Sequence, residues 1–197
     1  MDLETPRLLI RDFVSADLDA VHSILDIDLS MDNCTKLQRN HWLEWTILGY
    51  EQYRRLHQPP YGDYAITLRS SGQVIGLVGL VPSMMPFGLL PYYRGLSPTN
   101  RHAYNIPEMG LFWAVSTPHQ RSGYATEAAA ALVKFVFDMW HVRRIVATTE
   151  YANTASIGVM RRLGMRIERN PRPEPFFLQV VGVIDTSHNE PDWPAHP

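Results

Sequence analysis

One cysteine, Cys34, stands among 197 residues. No internal disulfide can form from it, and a zinc site would lack a second thiolate. Long apolar runs are missing as well: none approaches the roughly 20 residues that cross a bilayer. The opening Met1-Asp2-Leu3-Glu4 has neither the basic start nor the apolar stretch of a secretory leader. An excess of charge is also lacking, since 18 Lys and Arg stand against 20 Asp and Glu for a net −2. That balance argues against a nucleic-acid or polyanion partner. There is no internal repeat. The expectation is a cytoplasmic protein with no membrane, nucleic-acid or metal partner. With 45% hydrophobic residues, a chain of this length buries a full core in one domain, expected over 1–187, with a loose Pro-rich tail over 188–197.

Apolar patterning supplies the elements. Residues 7–11 read as a first strand, after which Ser15 offers an N-cap to a helix carrying Leu18, Val21, Ile24 and Leu25. A second helix is predicted within about 37–57, with Leu37, His41, Trp45 and Leu48 along one face. Residues 64–68 and 74–80 form a hairpin signal around Ser70-Ser71-Gly72-Gln73. A strand over 111–115 precedes the clearest helix, 126–140, whose stripe is Ala128, Ala129, Leu132, Val136 and Met139, with Glu127, Lys134 and Asp138 toward solvent. Residues 145–149 are strand-like. Asn153 caps a short helix bearing Ile157, Met160 and Leu163, Gly164 stops it, and 176–184 is the last strand. The stretch 81–107 fits no period and holds five prolines. Its Met84, Met85, Phe87, Tyr92, Tyr93 and Tyr104 are too apolar for a free linker, so it is expected to pack over a cleft or against another subunit.

Chemistry concentrates in the stretch from Val115 to Glu127. A strand ends, the loop turns through Gly123 and a long helix begins. Such a loop aims consecutive backbone N–H groups at one point, and the helix dipole adds positive potential, which suits a phosphate or pyrophosphate. Gly123 permits close backbone approach. Taken alone, these residues suit a plain strand-to-helix connection equally well. No Lys-Ser or Lys-Thr follows the glycine and no Gly-x-Gly-x-x-Gly occurs, so neither a nucleoside-triphosphate P-loop nor a dinucleotide fingerprint is present.

Gln120-Arg121-Ser122-Gly123-Tyr124-Ala125 resembles the Gln/Arg-x-x-Gly-x-Gly/Ala signature of the GNAT N-acetyltransferases. Gly123 to Ala128 resembles its ribosomal-protein-alanine N-acetyltransferase-like branch. Glu4 to Arg11 and Asn153-x-x-Ser156 followed by Leu163-Gly164-Met165 do so too. The resemblance spans roughly 4–184, with 81–107 as an insertion.

The resemblance implies a mixed α/β fold, a twisted and mostly antiparallel sheet with splayed central strands flanked by helices. It implies acetyl-coenzyme A as cosubstrate and a primary amine as acceptor, either a small molecule or a protein N-terminus, with a homodimer as candidate assembly. Carried over, Trp113, Ala114 and Val115 offer a strand edge to the pantetheine arm. Gln120, Arg121, Ser122, Gly123, Tyr124, Ala125 and Thr126 form the pyrophosphate loop. Asn153 reaches the pantetheine, and Ser156 lies near the thioester sulfur. Direct attack by a neutral amine needs an N–H donor for the oxyanion and an acid for the thiolate. Many family members carry a tyrosine seven residues after the asparagine; this chain has Met160, which cannot donate, so Ser156 becomes the candidate acid. A helix-cap role for the Ser156 hydroxyl stands beside that reading. Glu108 and Glu174 are the candidate bases, each of which also reads as a solvated carboxylate, and a low-pKa acceptor would need none. The alternative function is a non-catalytic acyl-coenzyme A-binding module of the same fold. The eight histidines show no paired metal spacing, and no Gly-x-Ser-x-Gly elbow is present. Residues 81–107 carry Arg94, Arg101 and His102 but no acid, which as an acceptor wall would disfavour a polyamine.

Overall fold

The computed structural model describes residues 1–96 and 105–186. Tyr104, Arg101, His102 and the tail expected over 188–197 lie outside the described residues, as does the side chain of Arg94. Two compact units are delimited, Met1–Val81 with Leu111–Lys134 and Pro82–Gly110 with Phe135–Pro197.

The first unit opens with β1 (Asp2–Glu4) and β2 (Leu8–Arg11), paired antiparallel. The first helix, α1 (Leu18–His22), runs on as a π-helical turn over Ser23–Asp28. Ser15 does not cap it. Asp17 stands at the cap position but makes no side-chain capping bond to α1; its carboxylate instead accepts the Val14 N–H at 2.9 Å and pairs with Arg11. The long helix α2 (Lys36–Arg55) starts in a capping box in which Gln38 N–H donates to Thr35 Oγ1 and Thr35 N–H to Gln38 Oε1. Its buried face is Arg39, Leu43, Thr46 and Tyr50. The expected face is turned outward, with Leu37 66% and Trp45 64% exposed.

The reason for that reversal is a charge the apolar pattern could not anticipate. The Arg39 guanidinium bonds Asp26 through Nε at 2.8 Å and Nη2 at 2.7 Å, so an arginine sits inside and its helix turns with it. Arg39 and the His22 bond together hold Asp26 at about 2, against the pull of burial. The hairpin β3 (Gly62–Leu68) and β4 (Val74–Met85) appears as expected, antiparallel. Phe13, Val21, Leu25, Leu43, Ala65 and Leu77 form the core between these strands and the helices.

Strand β5 (Ile106–Val115) belongs to the first unit from Leu111 onward and to the second before it. Helix α4 (Tyr124–Trp140) buries Ala128, Ala129, Leu132 and Val136, but Met139 is 64% exposed rather than part of the stripe.

In the second unit the stretch expected to be irregular is largely structured. Strand β4 continues to Met85, a 3-10 turn covers Phe87–Leu89 and α3 (Pro91–Leu96) follows. Phe87, Leu90 and Tyr93 are core residues of this unit, packed with Val146, Val181 and Val183. Strand β6 (Arg144–Thr149), helix α5 (Thr154–Arg162), β7 (Arg166–Arg169) and β8 (Val180–Asp185) complete it. The expected strand over 176–184 is a 3-10 turn at Phe176–Leu178 before β8. Neither β1 nor β7 was legible: both are short, polar edge strands.

The hydrogen-bonded strand order is β1-β2-β3-β4-β5-β6-β8-β7, a mixed α/β, mostly antiparallel open sheet flanked by helices. The β5–β6 step is parallel and holds only Met109↔Ile145 and Gly110↔Val146. No helix among the described residues is long and apolar enough to cross a membrane.

Candidate active site

After Val115 the chain makes a 3-10 turn over Thr117–His119. Asp28 fixes its start by accepting the Thr117 N–H at 2.5 Å, and hydrogen bonding from the Thr117 hydroxyl and then its N–H holds the Asp28 carboxyl below its ordinary range. Ser116 Oγ lies 2.8 Å from His119 Nδ1, and Gln120 Nε2 donates to the Val115 carbonyl at 3.0 Å. Arg121 (φ 60°) and Gly123 (φ 83°) then both adopt left-handed backbone on either side of Ser122. Alternation of this kind turns successive N–H groups toward one side and makes an anion-binding concavity.

The count of unspent donors is the main property of this loop. The Gln120 N–H is taken by the Thr117 carbonyl, and the next backbone N–H with a partner is that of Glu127, bonded to Gly123 at 3.0 Å. Between them, among the described residues, the N–H groups of Arg121, Ser122, Gly123, Tyr124, Ala125 and Thr126 have no acceptor in the chain. Six consecutive free donors at the N-terminus of a 17-residue helix suit a bound diphosphate. Space allows it: a Cβ built on Gly123 would meet only Arg7 Nη2, at 3.4 Å.

The loop is braced from the N-terminal strands. Arg7 donates from Nη1 to the Ser122 carbonyl at 2.9 Å and from Nε to Glu127 Oε2 at 2.6 Å, and its guanidinium lies 4.4 Å over the Tyr124 ring. Thr5 Oγ1 and the Arg7 N–H both donate to Glu127 Oε1. Burial opposes ionisation of Glu127, but these bonds outweigh it and hold the carboxyl below the ordinary range. Glu127 was expected to face solvent; it is instead the anchor that Thr5 and Arg7 grip. No local pattern signals this, because Thr5 and Arg7 lie some 120 residues away and only the fold brings them to Glu127.

Trp113, Ala114 and Val115 close β5, beyond the two residue pairs that join this strand to β6. Gly76 of β4 lets them pass: a Cβ there would lie 2.3 Å from the Ala114 carbonyl oxygen and 3.1 Å from Val115 Cα.

In the second unit, Asn153 Oδ1 accepts the Ser156 N–H at 3.0 Å and caps α5 as expected. The cap is therefore the asparagine, and the Ser156 hydroxyl, half-buried, has no hydrogen-bond partner among the described residues. Met160 is fully buried and packs on β8, where a Cβ on Gly182 would stand 3.1 Å from its Sδ. Its place is in the core. Glu108 is buried, and both its oxygens are bonded by Arg144, with Nε at 2.9 Å from each. The Arg144 guanidinium also lies 4.9 Å from the Tyr93 ring centre. Glu174 is exposed in the segment before the Phe176–Leu178 turn.

A possible cation group was not foreseen. Ligand atoms of Asp26, Asp32 and Cys34 lie within 4.8 Å of one another. Arg39 already bonds both carboxylates, so a guanidinium occupies the cationic place.

The model of the acetyltransferase (GNAT) domain matches residues 7–166. The chain is 28% identical over 172 residues to YnaD of Bacillus subtilis, described as an uncharacterized N-acetyltransferase, covering 85% of this chain and 84% of that one. An acetyltransferase (GNAT family) structure from Bacillus anthracis superposes with a TM-score of 0.66 at 20% identity, covering 93% of this chain and 96% of that one. A ribosomal-protein-alanine acetyltransferase from Vibrio fischeri does so at 0.69 and 12% identity, covering 97% and 100%. A ribosomal-protein α-N acetyltransferase in complex with coenzyme A gives 0.61 at 14%, covering 93% and 96%. The family match runs through the braced loop and most of the sheet, and the chain belongs to the GNAT family of N-acetyltransferases, which move an acetyl group from acetyl-coenzyme A to an amine.

Proposed function

We propose that this chain acetylates a primary amine by direct attack, with the diphosphate of acetyl-coenzyme A held on the N–H groups of Arg121 to Thr126. The observation that carries this reading is the run of six unspent donors at the start of α4, braced by Arg7. When bound, the cosubstrate supplies an activated acetyl thioester. Gln120 holds the loop to the end of β5 through the Val115 carbonyl, and Trp113 to Val115 offer backbone N–H and C=O groups to the pantetheine amides.

Asn153 keeps its Nδ2 donor for the same arm, since Oδ1 is spent on the cap. Ser156 Oγ is the proposed proton donor to the departing thiolate, directly or through water. Its free hydroxyl and the asparagine cap support that role over a capping one. Glu108 is proposed to hold Arg144 and α3 in place rather than to act as base, because both its oxygens are already engaged. Glu174, exposed, remains the proposed base among the two carboxylates.

The family match crosses both compact units, which supports reading 1–187 as one catalytic domain. The acceptor is a small amine or a protein N-terminus, and the setting is cytoplasmic, with a homodimer as the proposed assembly. Calorimetry with acetyl-coenzyme A, followed by thioester consumption against an amine panel, tests the reading. Binding with turnover supports it. Binding without turnover of any amine favours the acyl-coenzyme A-binding module.

A further inference from the structure

Gln179 stands immediately before β8 and joins two segments that the proposed chemistry needs. Its main chain is held on both sides. Val180 pairs with Thr149 of β6 and Arg169 of β7, and the Gln179 carbonyl accepts the Asn170 N–H at 3.0 Å. From that fixed base the side-chain amide reaches out twice. Oε1 accepts the Tyr151 N–H at 2.7 Å, and Nε2 donates to the Pro173 carbonyl at 2.8 Å. Both partners are main-chain groups, one a donor and the other an acceptor, so the amide has a single orientation. All of these residues belong to the second unit.

Each end of the amide grips a peptide beside a residue of the proposed chemistry. The Tyr151 N–H shares its peptide with the Glu150 carbonyl, which accepts the Asn153 N–H at 3.2 Å, and Asn153 Oδ1 in turn accepts the Ser156 N–H. The Pro173 carbonyl shares its peptide with Glu174. An unbroken chain of hydrogen bonds therefore runs from the Glu174 peptide through Gln179 to Ser156. Its two halves are unequally secure. The turn around Tyr151 keeps bonds of its own, and the Tyr151 hydroxyl is also tied to the Asn170 carbonyl. Pro173 and Glu174 are exposed, and among the described residues their one hydrogen bond is that from Gln179. Proline at 171, 173 and 175 restricts φ at every second residue. Holding one carbonyl thus holds the short stretch that carries Glu174.

We propose that Gln179 is a positioning residue for acetyl transfer: it fixes the segment of Glu174 relative to Asn153 and Ser156 and acts through that carboxylate. The proposal rests on the acetyl-transfer reading and on Glu174 as its base. A base works only within hydrogen-bond reach of the proton it takes, and a misplacement of about 1 Å can slow a reaction on the order of 100-fold.

The test is a double-mutant cycle on the full chain, read as acetyl-coenzyme A consumption with alaninamide, benzylamine, spermidine and short peptides with free N-termini as acceptors. Gln179→Met has nearly the same length and loses both hydrogen bonds. It should lower kcat about 10-fold and keep the KM for acetyl-coenzyme A within about 2-fold, because the turn that carries Asn153 keeps its own bonds. Glu174→Gln should lower kcat about 100-fold. The double variant should be no slower than Glu174→Gln alone, since the place of a base is immaterial once the base is gone. Gln179→Glu, which keeps an oxygen for Tyr151 and loses the donor to Pro173, is the milder second variant and should behave in the same way. Losses that multiply in the double variants would mean that Gln179 only supports the fold, and overturn the proposal. Wild-type kcat in both Gln179 variants, or in Glu174→Gln, overturns it too. Coenzyme A binding by the wild type without thioester consumption with any of these amines would instead sink the acetyl-transfer reading, and the positioning role with it.

Discussion

Helices α4 and α5 both begin after a short loop, and their first turns meet the same deficit of acceptors in opposite ways. At α5 the deficit is met internally: Asn153 turns its side-chain oxygen onto the Ser156 N–H. At α4 no side chain does so, and the N–H groups from Arg121 to Thr126 are left without an acceptor among the described residues. The chain's polar effort there goes into the brace behind the loop, where Arg7 grips a carbonyl, a carboxylate and a ring. A helix start capped by its own side chain is finished. One that is braced but uncapped has donors left over. The difference is the ground on which α4, and not α5, is proposed as an anion-binding N-terminus.

The strongest way to break this contrast is to put an anion of the protein's own at α4. Gly123→Asp places a carboxylate where the diphosphate is proposed to sit. Aspartate tolerates left-handed backbone better than most residues, so the fold should persist by circular dichroism. Acetyl-coenzyme A affinity by calorimetry should fall by more than about 100-fold, that is by roughly 3 kcal/mol or more. Unchanged affinity would remove the loop from the binding site.

Next in size is the hydroxyl that the α5 cap leaves free. Ser156→Ala should lower kcat by about 100-fold, the low end of the range for losing a proton-transfer group, with coenzyme A affinity nearly constant. Full turnover in that variant would leave Ser156 without a catalytic role.

Removing the brace should loosen the loop without blocking it. Arg7→Ala is expected to raise the KM for acetyl-coenzyme A about 10-fold, with a smaller change in kcat. The same brace makes a pH statement. Glu127 has its carboxyl lowered in the folded state, so its contribution is present above the unfolded glutamate value of about 4.3 and fades as pH falls through the depressed one. Thermal midpoints from pH 6 down to 3 should therefore drop less in Arg7→Ala than in the wild type. A parallel decline would mean that the Arg7–Glu127 bond contributes nothing to acid sensitivity.

The smallest effect sharpens the comparison from the other side. Asn153→Ala uncaps α5 and should cost about 1 kcal/mol, seen as a drop of about 2–4 °C in thermal midpoint for a chain of this size. Asn153→Asp should restore the stability. No loss in the alanine variant would mean that the bond to Ser156 is not a working cap.

How much of this could be read from the chain alone depended on whether the deciding partner was close in sequence. The hairpin of β3 and β4, the α5 cap and the loop around Gly123 are local patterns, and each stands where its residues put it. Helix α2 is the counterexample. Its apolar and aromatic residues argued for one face inward, yet Arg39 took the interior because Asp26 waits 13 positions earlier. Glu127 was misplaced for the same reason, its partners Thr5 and Arg7 lying some 120 residues away. Within 81–107 the prolines hid a 3-10 turn and a short helix, and Phe87, Leu90 and Tyr93 serve the core of their own unit.

The central claim is that the N–H groups from Arg121 to Thr126 hold the diphosphate. Amide chemical shifts of the wild-type protein, followed during titration with coenzyme A and then with pantetheine, which lacks the diphosphate, address it directly. Coenzyme A should shift the Arg121 to Thr126 amides saturably, with Gly123 moving most, while pantetheine leaves them in place. Saturation with coenzyme A that moves other amides but leaves these six unmoved would contradict it.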